Sequence, residues 1–387
     1  MANLTSVLTE LIKSAVLGEP LPKDFNEPTE QIVSELYRLS KFHDIANIVG
    51  SALIDNGFVK SADMREKFQK EIMLSIYRER QMSAELKSIS EAFGQAKIEF
   101  IPLKGSVIRP LYAKPWLRTS CDIDILVRES DLDMAVGALT EKLGYTTDGK
   151  KKFHDVSLYS RSGVHLELHY NIDEGNDKMD TVLDRVWQHS ESLREGDFEF
   201  RQSPEFLLFY VIAHTANHFQ IGGCGIRSFV DIFLLLRNGN YDESALALLC
   251  EEAGVEQFRH GANELICAWF DGGEYTERAL MMQNYIFSGG LYGTFEQNIL
   301  ARHSESGNRV KYILKRIFIP YNQLKERYPI VERYPLLVPF CQVRRWIEFP
   351  FRKRRIGRAV KEYKHLKSIS DEESKKTIEL FDSLGLR

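Results

Sequence analysis

Cysteine is scarce in the 387-residue chain: five residues (Cys121, Cys224, Cys250, Cys267, Cys341), odd in number, widely scattered and without a CxxC pair. That excludes a disulfide framework and the paired-thiolate zinc modules. Proline is sparse as well, at 12 residues, against 43% hydrophobic residues, so the chain lacks the signature of disorder and has ample material for packed cores. No uninterrupted apolar run approaches the ~18 residues of a bilayer span; the best is Phe206–Ala213. The N-terminal stretch MANLTSVLTELIKSAVLG has no basic segment leading into a continuous apolar one. It reads as an amphipathic helix and not as a secretion signal. These absences predict a soluble, cytoplasmic protein. An excess of one charge is also missing: 51 Lys and Arg face 55 Asp and Glu, for a net −4. A dedicated nucleic-acid binder would carry a basic excess over a whole domain; a local basic patch remains open.

The length predicts two or three domains, or one domain with large additions. Residues 1–97 read as helical. Leu4–Val16, Ile32–Leu39 and Ile45–Leu53 are amphipathic, and Ile72, Ile76, Leu86, Ile89 and Phe93 recur at mostly three- and four-residue spacing up to Gly94. The texture then changes. Ile98–Leu103 is a short apolar run closed by Gly105, and Asp122–Val127 (DIDILV) alternates as a strand does. Asp131–Leu143 is helical in pattern and stops at Gly144. His154–Ser160 and Val164–Tyr170 alternate on either side of Arg161-Ser162-Gly163, which is a hairpin signal. From Pro204 onward, with Ser203 placed as an N-cap, helical texture returns. The expected fold class is therefore α+β. A small mixed sheet (98–200) lies between a helical N-terminal region (1–97) and a helical C-terminal region (201–387) that carries a basic tail.

Three features carry chemistry. Asp122 and Asp124 lie two apart on a strand, so both carboxylates project from one face while Ile123 and Ile125 face the core. Two like charges ~5 Å apart cost on the order of 3 kcal/mol at an effective dielectric near 20. Solvation, a shared proton, a basic partner or a divalent cation must offset that. Upstream, Leu103-Lys104-Gly105-Ser106 turns from the first strand towards a short helix at Val107–Tyr112, where glycine permits close backbone approach. Downstream, Val164–His169 (VHLELH) as a strand sets His165, Glu167 and His169 on one face and Leu166 and Leu168 on the other. This is not the helical HExxH zinc motif. It leaves open a carboxylate for a metal site, a small His/Glu site or an ordinary strand face.

Taken together, a Gly-Ser turn, a DxD strand and a later strand carboxylate resemble the DNA polymerase beta-like nucleotidyltransferases. The likeness is closest to a poorly characterised bacterial nucleotidyltransferase family with an LKG turn, a downstream Tyr and Arg, and DIDILV. Here those residues are Leu103-Lys104-Gly105, Tyr112, Arg118 and Asp122–Val127. His214-x3-His218, Arg227-x3-Asp231 and the Arg/Pro-rich tail are similar to that family's second half. The spacer 107–121 is slightly longer than the superfamily's usual one. The resemblance implies a Mg²⁺- or Mn²⁺-dependent transfer of a nucleoside monophosphate from an NTP to an acceptor hydroxyl or phosphate. Asp122, Asp124 and Glu167 would be the catalytic metal ligands. Ser106 and the Gly105–Ser106 amides would hold the β/γ-phosphates, and Lys104 and Arg118 would be further nucleotide contacts. His165 and His169 would flank Glu167 as hydrogen-bonding neighbours or as a base. His214, His218, Arg227 and Asp231 would form a helical wall of the site or hold the helices together.

The acceptor, whether small molecule, protein or RNA, is not encoded in these motifs. Arg344–Lys367 carries ten Lys or Arg and two Glu, interleaved with Trp346, Phe349 and Phe351. It fits an anionic partner: RNA, a membrane surface or a polyphosphorylated acceptor. Two other functional readings share the fold, a toxin-like enzyme acting on tRNA and a catalytically inactive binding module.

Overall fold

The computed structural model describes residues 2–151, 154–194, 196–290, 297–301, 309–348, 357, 361–364, 366 and 370–387. Four helices lead: α1 (Ala2–Leu17), α2 (Glu30–Phe42), α3 (Ala46–Asp55) and α4 (Ala62–Ala96). Leu8, Leu11, Ile12 and Val16 form the buried stripe of α1. Along the 35 residues of α4 the buried positions are Met64, Phe68, Ser75, Met82, Ile89, Ala92 and Phe93, with Ile72, Ile76 and Leu86 half-buried. Thr29 and Ser61 cap α2 and α4 through their hydroxyls.

The sheet follows: β1 (Phe100–Pro102), β2 (Asp122–Val127), β3 (Thr146–Lys151), β4 (Asp155–Tyr159) and β5 (His165–His169), in spatial order β1-β2-β5-β4-β3. Among the described strands of this sheet β2 and β5 pair in parallel and the other neighbours antiparallel. The α+β class and the mixed sheet between helical regions are as the sequence predicts. Two local differences have physical causes. The helix expected over Asp131–Leu143 begins as a 3-10 turn, becomes α6 (Leu132–Gly137) and ends in a π-turn at Ala138–Lys142. Gly144 then takes a positive φ of 69°. The helix expected over Val107–Tyr112 is α5 (Gly105–Ile108) followed by a 3-10 turn (Arg109–Leu111), because Pro110 has no amide hydrogen to continue an α-helix.

One face of the sheet packs on α4 and α6: Ile123, Ile125, Val127, Leu166 and Leu168 share a core with Ile89, Phe93, Leu132 and Ala135. The other face is divided. At its β1 end Ile101, Leu103 and Leu126 join a larger core running through α1–α3 and the later helices, whereas Asp122 and Asp124 open onto a cleft.

Beyond the sheet come α7 (Asp177–Leu183), a small pair β6 (Ser190–Ser192) and β7 (Phe200–Gln202), then α8 (Pro204–Ile221), α9 (Ile226–Asn238), α10 (Glu243–Glu252), α11 (Glu256–Phe270) and α12 (Glu277–Gly289). Ser203 caps α8 and Pro204 occupies its first turn. Further helices span Arg309–Ile317, Tyr321–Arg327, Val338–Glu348 and Asp371–Ser383. Among the described residues no helix is long and apolar enough to cross a membrane. Of the basic stretch Arg344–Lys367, residues 349–356, 358–360, 365 and 367 lie outside the described residues.

Candidate functional site

The parallel pairing of β2 and β5 sets Asp122 opposite His165 and Asp124 opposite Glu167. Period-two alternation then brings Asp122, Asp124, His165, Glu167 and His169 out together on the cleft side. The donor atoms of Asp122, His165 and Glu167 lie within 4.8 Å of one another, as do those of Asp124, Glu167 and His169. Glu167 is common to both groups. His169 Nε2 is 3.1 Å from Asp124 Oδ1 and 3.7 Å from Glu167 Oε2. His165 stacks on Tyr159 and His169 on His154, with ring centroids 4.8 and 5.3 Å apart. The buried His165 Nε2 finds no hydrogen-bond partner among the described residues.

Lys104 reaches the same place from the β1–α5 turn. Its backbone adopts φ 42°, ψ −111°, a region that costs a non-glycine residue on the order of 1–3 kcal/mol. Its Nζ lies 3.7 Å from Asp124 Oδ1 and 5.9 Å from the centre of the Tyr210 ring. The three carboxyls respond differently to this setting. Burial alone would raise Asp124, but Lys104 and His169 more than reverse it and hold that carboxyl well below the usual range. Asp122 is raised by burial and by the charge of Asp124, and Glu167 by burial and by both aspartates. One firmly ionised carboxylate thus sits beside two that hold protons more readily.

The opposite wall of the cleft is α8, where His214, Asn217 and His218 are half-buried and follow the fully buried run Phe206–Ala213. They converge on Glu174, from the loop after β5: His214 Nδ1 is 2.6 Å from Glu174 Oε1, and Asn217 Nδ2 donates to Oε2 at 2.7 Å. Burial pushes this carboxyl up, but His214, Lys104 and Asn217 together bring it down to about 2. His218, whose ring lies 4.4 Å from that of His214, is lowered to about 4 by burial and by the charge of His214. The whole cleft encloses about 500 Å³.

Arg118 lines the cleft but is spoken for. Its Nη2 donates to Asp231 Oδ2 at 2.8 Å and its Nε to Oδ1 at 3.3 Å, while Tyr112 Oη donates to Oδ1 at 2.6 Å. All three residues are buried. Asp231 lies on α9, so this network ties the sheet's β1–β2 connection to the helical wall. Gly105 is part of the same arrangement: a Cβ there would fall 2.4 Å from Arg118 Nη1 and 3.2 Å from Ser120 Oγ. The glycine makes room for the guanidinium. Arg227 donates to Thr119 Oγ1 at 2.8 Å and to Asp44 Oδ2 at 3.2 Å, and Asn47 on α3 donates to the carbonyls of Trp116 and Leu117. The connection that carries Arg118 is therefore held from three sides.

Of the residues singled out in the sequence, Asp122, Asp124, Glu167, His169, Lys104, Arg118, His214, His218, Arg227 and Asp231 all line the cleft. Gly105, Ser106, Tyr112 and His165 are not in its lining: Gly105 is buried under Arg118, half-buried Ser106 sits within α5 with its amide bonded to the Leu103 carbonyl, Tyr112 is buried against Asp231, and His165 stacks on Tyr159. Sequence reasoning missed Glu174, Asn217 and Tyr210. Asn217 and Tyr210 lie on α8 three residues from His214 and four residues before it, a spacing that could have placed them; Glu174, in the loop Asp173-Glu174-Gly175, has no such signal.

Residues 29–271, which include both walls of the cleft, match the profile of the family described as Uncharacterised nucleotidyltransferase, and the chain belongs to that family. No curated protein and no solved structure matches the chain.

Proposed function

We propose that the protein is a metal-dependent enzyme of the DNA polymerase beta-like kind, transferring a nucleoside monophosphate from an NTP to an acceptor hydroxyl or phosphate. The observation that carries this reading is the convergence of Asp122, Asp124 and Glu167, from two parallel strands, on the floor of a cleft within the family's matched span. The donor set fits Mg²⁺ or Mn²⁺ through its three carboxylates, Asp122, Asp124 and Glu167, whose hard oxygens converge in the two groups. Asp122, Asp124 and Glu167 would hold the ions, which when bound lower the pKa of an attacking hydroxyl and neutralise phosphate charge.

The chain's own residues do the rest. Lys104 and His169 keep Asp124 ionised, so that ligand needs no deprotonation before use. Lys104, half-buried beside Tyr210 and Asp124, is the cation placed to meet a triphosphate. Arg118 is neutralised by Asp231 and acts as a positioning residue, which gives Gly105 a packing role in place of phosphate binding.

The test is calorimetric titration of each NTP, as a non-hydrolysable analogue, with and without Mg²⁺, in the wild type and in the Asp122→Ala/Asp124→Ala variant. The reading expects binding that requires the metal and is lost in the variant. A folded wild type that binds no nucleotide under either condition refutes it.

A further inference from the structure

The helix Val338–Glu348 is packed inside out. Its buried positions are Cys341 and Gln342, whereas Leu336 just before it, Phe340, Val343 and Ile347 point to solvent at four-, three- and four-residue spacing. Leu336 is 89% exposed, Phe340 72% and Ile347 63%. An amphipathic helix buries such a stripe. The neighbouring helix Arg309–Ile317 does the same, with Ile313, Leu314 and Ile317 exposed. The two helices meet: Trp346 Nε1 donates to the Ile317 carbonyl at 2.8 Å, and the Phe318 and Trp346 rings touch edge to face at 5.1 Å. The exposed apolar positions of the two helices are thus joined through Trp346, with Val338–Glu348 resting on a small core of Leu324, Val331 and Cys341 and Arg309–Ile317 on Tyr312, Ile299 and Leu366.

The sequence that builds this region carries a basic excess. Residues 309–348 hold nine Lys or Arg against three Glu, in a chain whose net charge is −4. Among the described side chains Lys325 pairs with Glu332, Arg327 and Arg344 with Glu348, and Arg316 with Glu362, so the basic excess is a net one and not a row of free cations. Exposed aliphatic side chains flanked by basic ones match the boundary of an anionic bilayer, where the apolar face enters the acyl region and the cations meet headgroups. Nucleic acid would reward the arginines and the indole, but Leu336, Val343 and Ile347 would find nothing there to pack against.

We propose that the surface built by helices Arg309–Ile317 and Val338–Glu348 docks the protein onto anionic phospholipid membranes. This stands apart from the nucleotidyl-transfer reading and is tested without it. The full-length chain is sedimented with vesicles of phosphatidylcholine, and with vesicles containing about a third phosphatidylglycerol. Binding is expected to be roughly tenfold or more tighter to the anionic vesicles and to weaken as salt rises. A Leu336→Ser/Phe340→Ser/Ile347→Ser variant keeps every charge and alters only exposed positions, so its circular dichroism should equal that of the wild type. It is expected to lose about tenfold or more of the vesicle affinity. Three results overturn the proposal: no binding by folded wild type, equal binding by the variant, or a mixed-sequence RNA hairpin that displaces the wild type from vesicles and binds the variant equally well.

Discussion

Replacing Glu174 by Gln removes one charge from the cleft wall while keeping the side chain's shape. A carboxyl brought from 4.5 to about 2 on folding represents about 3 kcal/mol of preference for the ionised form in the native state. The side chain is largely buried, at 11% exposure, so solvent screening takes little of that away. The amide oxygen can still accept one hydrogen bond, and the expected loss for Glu174→Gln is about 2–3 kcal/mol at neutral pH. Direction in pH follows from proton uptake. Because the folded carboxyl is the stronger acid, the unfolded chain binds more protons between 4.5 and about 2. The Glu174 contribution is thus fully present above that window and disappears as pH falls through it. Urea titrations of wild type and variant, followed by circular dichroism at a series of pH values, read this directly. The gap between the two should be widest at neutral pH and close towards the acid end. A variant as stable as wild type at neutral pH, or a gap that does not change with pH, would refute the account of His214 and Asn217 as partners of an ionised carboxylate.

Asp231→Ala strands the buried Arg118 guanidinium and the Tyr112 hydroxyl, and should cost about 3–5 kcal/mol in urea denaturation; the Arg118→Met/Asp231→Leu pair should recover most of it, read as a double-mutant cycle. Asp173 is raised from 3.8 to about 6 by burial and by Asp180, Asp184 and Glu174, so its favourable protonated form is present below 3.8 and lost as pH climbs through about 6. Asp173→Asn should therefore raise the melting temperature at about pH 8 and lose that advantage in acid; thermal scans across pH check it.

The sheet's centre was legible because burial on one side imposes period two. Ile123 and Ile125, and again Leu166 and Leu168, point to the core, which leaves the acids and histidines between them facing the other way. Strand β3, Thr146–Lys151, was not legible: as an edge strand it buries none of its residues, so no apolar alternation marks it. The same limit applied to the site. Asp122, Asp124 and Glu167 declare themselves on strands whose faces are fixed, but Glu174 comes from a loop, and a loop has no period. Asp231 could be paired by spacing only with Arg227, four residues away on its own helix. Its partner is Arg118, 113 residues distant, and a pairing across that separation is set by packing of α9 against the β1–β2 connection, which no local pattern encodes.

That pairing has a mechanical consequence. The floor of the cleft belongs to the sheet and its far wall to the helices, and the two are bolted together by a buried ion pair. Swinging the wall away from the floor would pull Arg118 from Asp231 and leave both desolvated, at a cost of about 3–5 kcal/mol. A hinge motion with that penalty is populated less than about one time in a hundred. The ion pair thus favours an arrangement in which floor and wall keep their spacing when the cleft is empty or filled.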